Sequence, residues 1–329
     1  MKVLIAPDKF RGSASAAEVA CAIAAGAESA GATTRQQPLA DGGEGTLEVL
    51  GGANRTTTVT GPLGDPVDAP WRLHRGEAVI EMARASGLEL VGGPAGNDPL
   101  AASTAGTGEL ISSAVDLGAR RIIVGLGGSA TTDGGLAALR ALYPLPRLKG
   151  VELIVACDVD TTFVDAAEVF APQKGASPAQ VALLTRRLQR LAEVYRQDHG
   201  IDVTAPPGTG AAGGLAGGLL VAGGHLRPGF ELVADEVDLD GAFADVDLVI
   251  TGEGRLDDQS FHGKVVGGVV GWATDRGVPV LAIAGTVDES VTPPMPVVSL
   301  VDRYGADRSF TEPLACLTEV AAAEVADRS

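Results

Sequence analysis

The feature that most restricts the fold of this chain is a short apolar run that ends in a charged, glycine-rich loop. Residues 246–250 (VDLVI) form such a run, and residues 251–264 (TGEGRLDDQSFHGK) follow it. Because glycine permits sharp turns and a helical pattern resumes near Gly263, we predict a buried strand, a loop and then a helix. Ligands in open α/β sheets collect outside the carboxyl ends of the strands. Loop 251–264 is therefore predicted to be a binding loop, with a solvated surface connection as the alternative.

Other apolar runs in the chain end in the same way. Residues 2–6 lead into a polar loop and then a capping box, Ser15 to Glu18, which predicts a helix to about Ser29. A strand, a loop and a capped helix in succession are half of a βαβ unit. Further loops of this kind follow apolar runs at residues 41–46, 127–135 and 157–160.

The middle of the chain has a different pattern from its two ends. Residues 56–60 and 67–73 are typical of antiparallel strands joined by a turn rich in glycine and proline. The βα alternation returns after Asp240. We therefore predict an α/β protein with one doubly wound domain built from both termini, residues 1–52 and 240–329. A second α/β domain, residues 53–239, is inserted between them.

Composition excludes several classes of partner. The net charge of −17 and the aromatic content of 4% argue against nucleic acid and anionic membranes as partners.

Because no signal peptide or apolar run of about 18 residues is found, we expect a cytoplasmic protein. Cys21, Cys157 and Cys316 are expected to be buried and reduced. The four histidines, His262 among them, lack zinc-site spacing, and a homo-oligomer is left open.

Two loops near the N-terminus carry candidate ligand-binding groups. Lys9 and Arg11 precede a helix N-terminus, whose free N–H groups favour an anion. Asp41 and Glu44 lie in a glycine-rich turn, where carboxylates can hold Mg²⁺ or accept a proton from a hydroxyl. An ordinary capped turn is the alternative for both loops.

The middle of the chain adds three more candidates. The loop that contains Ser129, Thr131 and Asp133 can form an anion-binding nest of backbone N–H groups. Asp158 and Asp160 follow a strand, and a bent turn would aim both at one cation. Lys174 precedes a helix and suits a phosphate or a carboxylate. Structural turns and a solvated lysine are the alternatives.

Together these loops resemble the type I glycerate kinase family. The matching segments run in the family's order and cover most of the chain: APDKFRGSASAAEVA, LADGGEGT, GLGGSATTDGG, VACDVD, FAPQKGAS, GTGAAGGLAGGLL, LRPGFELV, DLVITGEGRLDDQSFHGK and LAIAGTVD. The resemblance implies ATP-dependent phosphorylation of D-glycerate with Mg²⁺. It also implies a flavodoxin-like domain made from both termini. The chain departs from the family at Arg11, where many relatives have lysine, and in shorter segments at 143–150 and after Asp160.

For a kinase of this family, we expect both substrates to bind in a cleft between the domains, and we assign hypothetical roles to the charged residues. Asp8 is expected to orient or deprotonate the glycerate hydroxyl, with Asp41 as the second choice, and 2-phosphoglycerate is the favoured product. The expected catalytic residues are Asp8, Asp41, Arg255 and Lys264. The expected substrate- and nucleotide-binding residues are Lys9, Arg11, Glu44, Ser129, Thr131, Asp133, Lys174 and Thr251. The expected metal ligands are Asp158, Glu253 and Asp257, with Asp41 as a further candidate.

Two other functions fit the same residues. Shorter loops that widened the acceptor pocket would favour a kinase of another small hydroxy acid. A sensor that binds glycerate or nucleotide without turnover is an alternative from a different class, although pure recognition of an anion has no need for so many acids.

Overall fold

We analysed a computed structural model of the chain, which describes residues 1–261 and 263–328. His262, which sequence analysis placed in the charged loop, lies outside the described residues. The strands, in chain order, are β1 Lys2–Ile5, β2 Thr33–Gln36, β3 Arg55–Thr60, β4 Pro66–His74, β5 Glu77–Glu81, β6 Arg121–Gly125, β7 Glu152–Ala156, β8 His225–Arg227, β9 Leu248–Leu256, β10 Val280–Val287 and β11 Val297–Ser299. The α-helices are α1 Ala16–Ser29, α2 Thr46–Val49, α3 Ala83–Ser86, α4 Ala105–Asp116, α5 Leu136–Ala141, α6 Ala166–Phe170, α7 Pro178–His199, α8 Ala211–Val221, α9 Gly229–Glu236, α10 Leu239–Ala242, α11 Val265–Asp275, α12 Leu300–Tyr304, α13 Ala306–Thr311 and α14 Pro313–Ala326.

The chain divides into two compact units. The terminal unit consists of Met1–Asp41 and Gly229–Ser329, and the inserted unit is Gly42–Pro228. Both changes of unit fall eleven residues before the domain limits that we predicted from the sequence. Residues 42–52 group with the inserted unit because Leu47 N donates to Glu81 Oε1 at 2.9 Å. Residues 229–239 group with the terminal unit, where Gln37 Nε2 donates to Val237 O at 3.1 Å.

The terminal unit is built on a parallel sheet to which both ends of the chain contribute. Its strand order is β11-β10-β9-β1-β2, so the first strand lies between the second strand and one from the C-terminal third. Helices α1 and α14 pack closely, and Thr318 Oγ1 donates to Ala22 O at 3.0 Å. The capping box at Ser15 is present. The prediction of an α/β sheet formed from both termini is confirmed.

The inserted unit has a mixed six-stranded sheet. Its order is β3-β4-β5-β6-β7-β8. The pairs β3–β4 and β4–β5 are antiparallel, and the remaining pairs are parallel. This confirms the predicted antiparallel strands and the presence of a second α/β sheet between the two ends of the chain. Alternate residues of the strands, among them Ile80, Ile122 and Val155, place one face of the sheet in an apolar core, in which Trp71 is fully buried.

The predicted loop after residue 250 is wrong in its first half. Strand β9 continues to Leu256 because β10 pairs with it as far as Val287. Gly252 and Gly254 therefore lie within a strand, and a Cβ at Gly252 would overlap Ile283 O of the neighbouring strand. Gly252 permits close approach of two strands, whereas a Cβ at Gly254 would lie 3.2 Å from Arg11 N in the loop after β1. Both are a different use of glycine from the predicted sharp turn.

The predicted burial of the cysteines is only partly correct. Cys316 is buried, Cys157 is half-buried and Cys21 is exposed, where its thiol donates to Gln36 Oε1 at 3.3 Å. Burial raises the pKa of the Cys157 thiol to about 11, so this thiol is protonated near neutral pH.

Among the helices within residues 1–261 and 263–328, none combines the length and the apolar composition that a membrane span requires.

Candidate functional site

The carboxyl ends of β1 and β9 form the topological switch point of the terminal sheet. The chain moves from β1 outwards to β2 and later returns to β9 on the other side of β1, and ligands of open α/β sheets bind in the crevice at such a point. Backbone hydrogen bonds hold the two strand ends together: Ala6 N donates to Ile250 O at 2.8 Å, and Asp8 N donates to Gly252 O at 2.9 Å. This pairing brings loop 8–13 and Glu253 to the same end of the sheet.

Asp8 is a buried carboxylate at the end of β1. The residue is 7% exposed, and Oδ1 accepts a hydrogen bond from Lys9 N at 2.7 Å. Lys9 Nζ lies 3.5 Å from the same oxygen. Burial raises the pKa of Asp8 to about 6, Lys9 opposes that rise, and the charge of Asp41 adds to it. Asp8 is therefore a carboxylate that ionises close to neutral pH.

Glu253, on β9, is the second perturbed acid. Burial raises its pKa to about 7; a hydrogen bond with Ser260 and the charge of Lys264 lower it, while Asp8 and Asp257 raise it. Its Oε1 is buried and has no hydrogen-bond partner among residues 1–261 and 263–328. Such an atom is costly unless a ligand or ion completes it. The side chains whose charges act on one another here are Asp8, Lys9, Asp41, Glu253, Asp257 and Lys264; we call them the acid cluster.

Three other predicted residues of the terminal unit have different surroundings. Arg255 is mostly exposed and pairs with Asp288 at 3.0 Å. The hydroxyl of Thr251 is buried and donates to Ala6 O at 2.8 Å, so it holds β9 to the end of β1. Arg11 is exposed.

In the inserted unit, Lys174 holds the loop that contains Ser129 and Thr131. The residue is 3% exposed, and Nζ donates to Thr131 O at 2.6 Å and to Ser129 Oγ at 3.4 Å. Burial lowers the pKa of Lys174 to about 7, and the charge of Asp133 opposes that decrease. A lysine buried in this way stabilises the loop conformation and carries a charge that depends on pH near neutrality.

Asp133 anchors the other end of the same loop. Its carboxylate accepts hydrogen bonds from Thr104 N at 3.0 Å, Thr104 Oγ1 at 2.8 Å and Gly135 N at 3.1 Å, and burial raises its pKa. Sequence reasoning missed both Thr104 and Asn97, whose Nδ2 donates to Ala130 O at 3.0 Å and Lys174 O at 2.9 Å. The signal that could have found Thr104 is its place as the polar residue directly before helix α4. No pattern marked Asn97.

Glu44 and Asp158 also belong to the inserted unit. Glu44 is exposed in the acidic glycine-rich loop, and that loop lies against the residues after β6. A Cβ at Gly125 would be 2.6 Å from Gly42 O, and one at Gly127 would be 3.0 Å from Gly43 Cα. Asp158 is half-buried just after β7. Its charge raises the pKa of neighbouring Cys157 after the larger effect of burial.

The acid cluster has the chemistry to hold a divalent cation. After the larger effect of burial, the charges of Asp8 and Asp257 raise the pKa of Glu253, and Glu253 Oε1 has no partner among the described residues. In the part of the chain that the structure describes, no group of three or more histidine, cysteine, aspartate or glutamate side chains converges as a complete metal site. Mg²⁺ fits this arrangement, because it is usually bound by one or two carboxylates together with water and substrate phosphates.

Acids and lysines gathered at the switch point of a parallel sheet define an α/β enzyme of the phosphotransferase class. The model of the glycerate kinase family matches residues 3–143 and 144–304, and the chain belongs to this family. It is 41% identical to a protein named glycerate 2-kinase from Escherichia coli K12, over 94% of this chain and 90% of that one. It is 42% identical to glycerate kinase from Bacillus subtilis 168, with the same two coverages. The crystal structure of a candidate glycerate kinase 2 from Salmonella typhimurium LT2 is similar, with a TM-score of 0.84 and 38% identity, covering 100% of this chain and 98% of that one.

Proposed function

We propose that this protein transfers the terminal phosphoryl group of ATP to D-glycerate with Mg²⁺, giving 2-phosphoglycerate. Family membership supports a kinase that acts on glycerate and needs a phosphate donor. The observation that carries the proposal is the acid cluster at the β1–β9 switch point, which combines a buried acid, further carboxylates and two lysines. The name of the Escherichia coli relative supports phosphorylation of the 2-hydroxyl.

Asp8 is our candidate for the general base. Because burial raises its pKa to about 6, Asp8 is ionised at pH 7.5 and is still basic enough to accept a hydroxyl proton as the bond to phosphorus forms. The ammonium of Lys9, 3.5 Å from Asp8, is placed to balance that carboxylate and to attract an anionic substrate. Asp41 remains the second candidate for the base.

Glu253 and Asp257 are our candidates for holding Mg²⁺, with Asp41 as a further ligand. The buried Oε1 of Glu253, which has no hydrogen-bond partner within residues 1–261 and 263–328, supports this assignment. When bound, Mg²⁺ supplies charge neutralisation to the phosphate oxygens of the donor. Lys264, whose charge acts on Glu253, would neutralise further charge on the transferred group. Asp158 remains a candidate metal ligand, and Arg255 remains a candidate for binding phosphate. To bind phosphate, Arg255 would have to leave its ion pair with Asp288.

In the inserted unit, the loop with Ser129, Thr131 and Asp133 is our candidate for binding one of the two substrates. Its support is the network of hydrogen bonds through Lys174 and Asn97, which fixes the loop before any ligand arrives. We further propose that the two compact units are separate domains. The terminal domain would be flavodoxin-like, since its strand order, renumbered within the unit, is 2-1-3-4-5 read from β2.

The proposal is tested by ADP release from ATP and Mg²⁺ on addition of D-glycerate, with ³¹P and ¹H NMR of the product. We expect turnover, and phosphate attached at the 2-position. Replacing Asp8→Asn removes the proposed base, and we expect kcat to fall by about 100-fold or more. The matched control is Asp307→Asn on exposed helix α13, which should retain wild-type kinetics.

The possible outcomes separate the alternatives. Turnover with another small hydroxy acid but not with glycerate would show a different kinase. Binding heat from glycerate or ATP without ADP release would show a sensor. A D8N enzyme with kcat within threefold of wild type would remove Asp8 from the mechanism.

A further inference from the structure

The terminal unit contains an open pocket that lies outside the acid cluster. Its volume is about 410 Å³, and its lining residues are Arg255, Thr286, Val287, Asp288 and Glu289. Three of them are among the last residues of β9 and β10, and the other two belong to the turn that follows β10. The pocket therefore opens at the carboxyl end of the sheet, where open α/β folds bind their ligands.

The pocket shares strand β9 with the acid cluster. Side chains two residues apart on a strand point to the same face, so Arg255 lies on the face of β9 that carries Glu253. Strand β10 runs parallel to β9, with Ala284 beside Glu253 and Thr286 beside Arg255. A group bound to Arg255 would therefore lie about 7 Å along the strand from the carboxylate that we propose for Mg²⁺.

Asp288 is the most firmly held polar side chain of the pocket. Its Oδ1 accepts hydrogen bonds from Ser290 N at 3.1 Å and Ser290 Oγ at 2.8 Å, and its Oδ2 accepts one from Arg255 Nη2 at 3.0 Å. Asp288 N donates to Leu256 O at 2.9 Å, which ties the turn to the end of β9. The hydrogen bonds from Ser290, followed by the bond and charge of Arg255, lower the pKa of Asp288. Asp288 is therefore an ionised, oriented acceptor at neutral pH.

A ligand can replace the ion pair between Arg255 and Asp288. The Arg255 side chain is 68% exposed and that of Asp288 is 33% exposed, and exposed pairs of this kind contribute little to stability. Asp288 binds Arg255 through one oxygen, whereas a free oxyanion can accept two parallel N–H bonds from a guanidinium. Once Arg255 turns to such an oxyanion, a hydroxyl of the same ligand can donate to the Oδ2 that it leaves. The pocket therefore suits a molecule that carries both an oxyanion and a hydroxyl.

Both proposed substrates carry an oxyanion and hydroxyls, and the size of the pocket favours the nucleotide. A three-carbon acid would fill a small part of about 410 Å³, because pockets of roughly 300–1,000 Å³ enclose much larger ligands. An acid that binds a ribose hydroxyl at the carboxyl end of the sheet also recurs in dinucleotide-binding α/β folds.

We propose that this pocket binds the ribose of the nucleotide: Asp288 accepts a hydrogen bond from a ribose hydroxyl, and Arg255 binds the α-phosphate. The outer phosphates would then extend along β9 towards Glu253, so that the terminal unit alone supplies these contacts. This inference rests on the proposed function, which requires a nucleoside triphosphate as phosphate donor.

Isothermal titration of the full chain with Mg²⁺ and three probes tests the proposal: a non-hydrolysable ATP analogue, its 2′,3′-dideoxy counterpart and inorganic triphosphate. We expect wild type to bind the ribose form about five- to tenfold more tightly than the dideoxy form. In Asp288→Ala this ratio should fall to within about twofold, because the charged acceptor is gone. Triphosphate should bind Asp288→Ala as tightly as wild type or more tightly, since Arg255 has lost a competing carboxylate.

Two further variants complete the design. Arg255→Ala should weaken the binding of all three probes, because each would place a phosphate there. The matched control is Asp275→Ala, an exposed acid at the end of α11 that does not line the pocket, and it should keep the wild-type ratio. The KM for glycerate should be unchanged in Asp288→Ala. The ratio measured on wild type needs no substitution, so the test does not depend on the folding of any variant.

Three outcomes would overturn the inference. The first is a wild-type chain that does not bind the analogue or binds its dideoxy form equally well, and the second is a D288A chain that keeps the wild-type ratio. The third is a higher glycerate KM in D288A with an unchanged ratio, which would assign the pocket to glycerate and leave the proposed function intact. If D288A abolishes the ratio but glycerate never elicits ADP release, the ribose assignment stands and the proposed function fails.

Discussion

Lys174 shows how one buried side chain ties the loop geometry of the inserted unit to pH. Its ammonium donates to Thr131 O and Ser129 Oγ, and Asp133 is the acid whose charge acts on it. The sequence indicated a lysine near a helix N-terminus, but a loop lysine is usually solvated. Only the fold shows that this one is enclosed.

The pH dependence of stability follows from the direction of that pKa change. In the folded protein the pKa of Lys174 is about 7, below its ordinary value of 10.5. Between these values the folded state binds fewer protons than the unfolded state, so the contribution of Lys174 to the free energy of unfolding rises with pH. We define the difference as the free energy of unfolding of wild type minus that of Lys174→Met. We expect this difference to become more positive by up to ~1.4 kcal/mol per pH unit from pH 7.5 to 9.5.

Urea unfolding followed by the fluorescence of Trp71, which lies in the same unit, measures this difference. Lys149→Met is the control, since Lys149 is exposed in the same unit, and its profile should run parallel to wild type. A constant offset between wild type and K174M across the pH range would contradict the assignment of a near-neutral pKa to Lys174.

At the scale of elements, the sequence predicted the end of β1 but not the end of β9. Asp8 could be assigned to a site because Pro7 ends an apolar run and the capping box Ser15 to Glu18 predicts a helix soon afterwards. Asp8 therefore lies in a loop between a strand and a helix. Strand β9 could not be delimited, since Gly252 and Gly254 are equally typical of a turn and of two strands in close contact. Which use applies depends on β10, about thirty residues later in the chain, and no local pattern carries that information. The same limit applies to Arg255, whose pairing with Asp288 comes from the neighbouring strand.

A pair of glycine substitutions in the terminal unit tests this use of glycine. A Cβ at Gly252 would overlap Ile283 O, whereas a Cβ at Gly271 on α11 meets open space. We expect Gly252→Ala to lower the free energy of unfolding by about 3 kcal/mol. Gly271→Ala should raise it by about 0.5–1 kcal/mol, because alanine is the better helix former. Thermal unfolding of both variants measures the contrast, and equal effects would show that β9 and β10 separate easily.

At the scale of the whole molecule, each compact unit has a core of its own. The apolar clusters of the inserted unit contain residues between Val59 and Leu226, and those of the terminal unit draw on both ends of the chain. The alternation of strand and helix patterns at the two ends predicted this arrangement. The limits of the compact units differ from the predicted domain limits by segments 42–52 and 229–239, whose contacts include Leu47 with Glu81 and Gln37 with Val237.

The two tryptophans make the independence of these cores measurable. Trp71 is buried in the inserted unit, and Trp272 packs near Phe243 in the terminal unit. In a Trp272→Phe background, we expect Leu110→Ala, a cavity in the inserted core, to lower stability reported by Trp71 by about 2–5 kcal/mol. In a Trp71→Phe background, the same L110A substitution should leave the Trp272 transition unchanged, because the terminal core does not include Leu110. If L110A shifted both transitions equally, the units would unfold as one cooperative block, and the proposal of separate domains would fail.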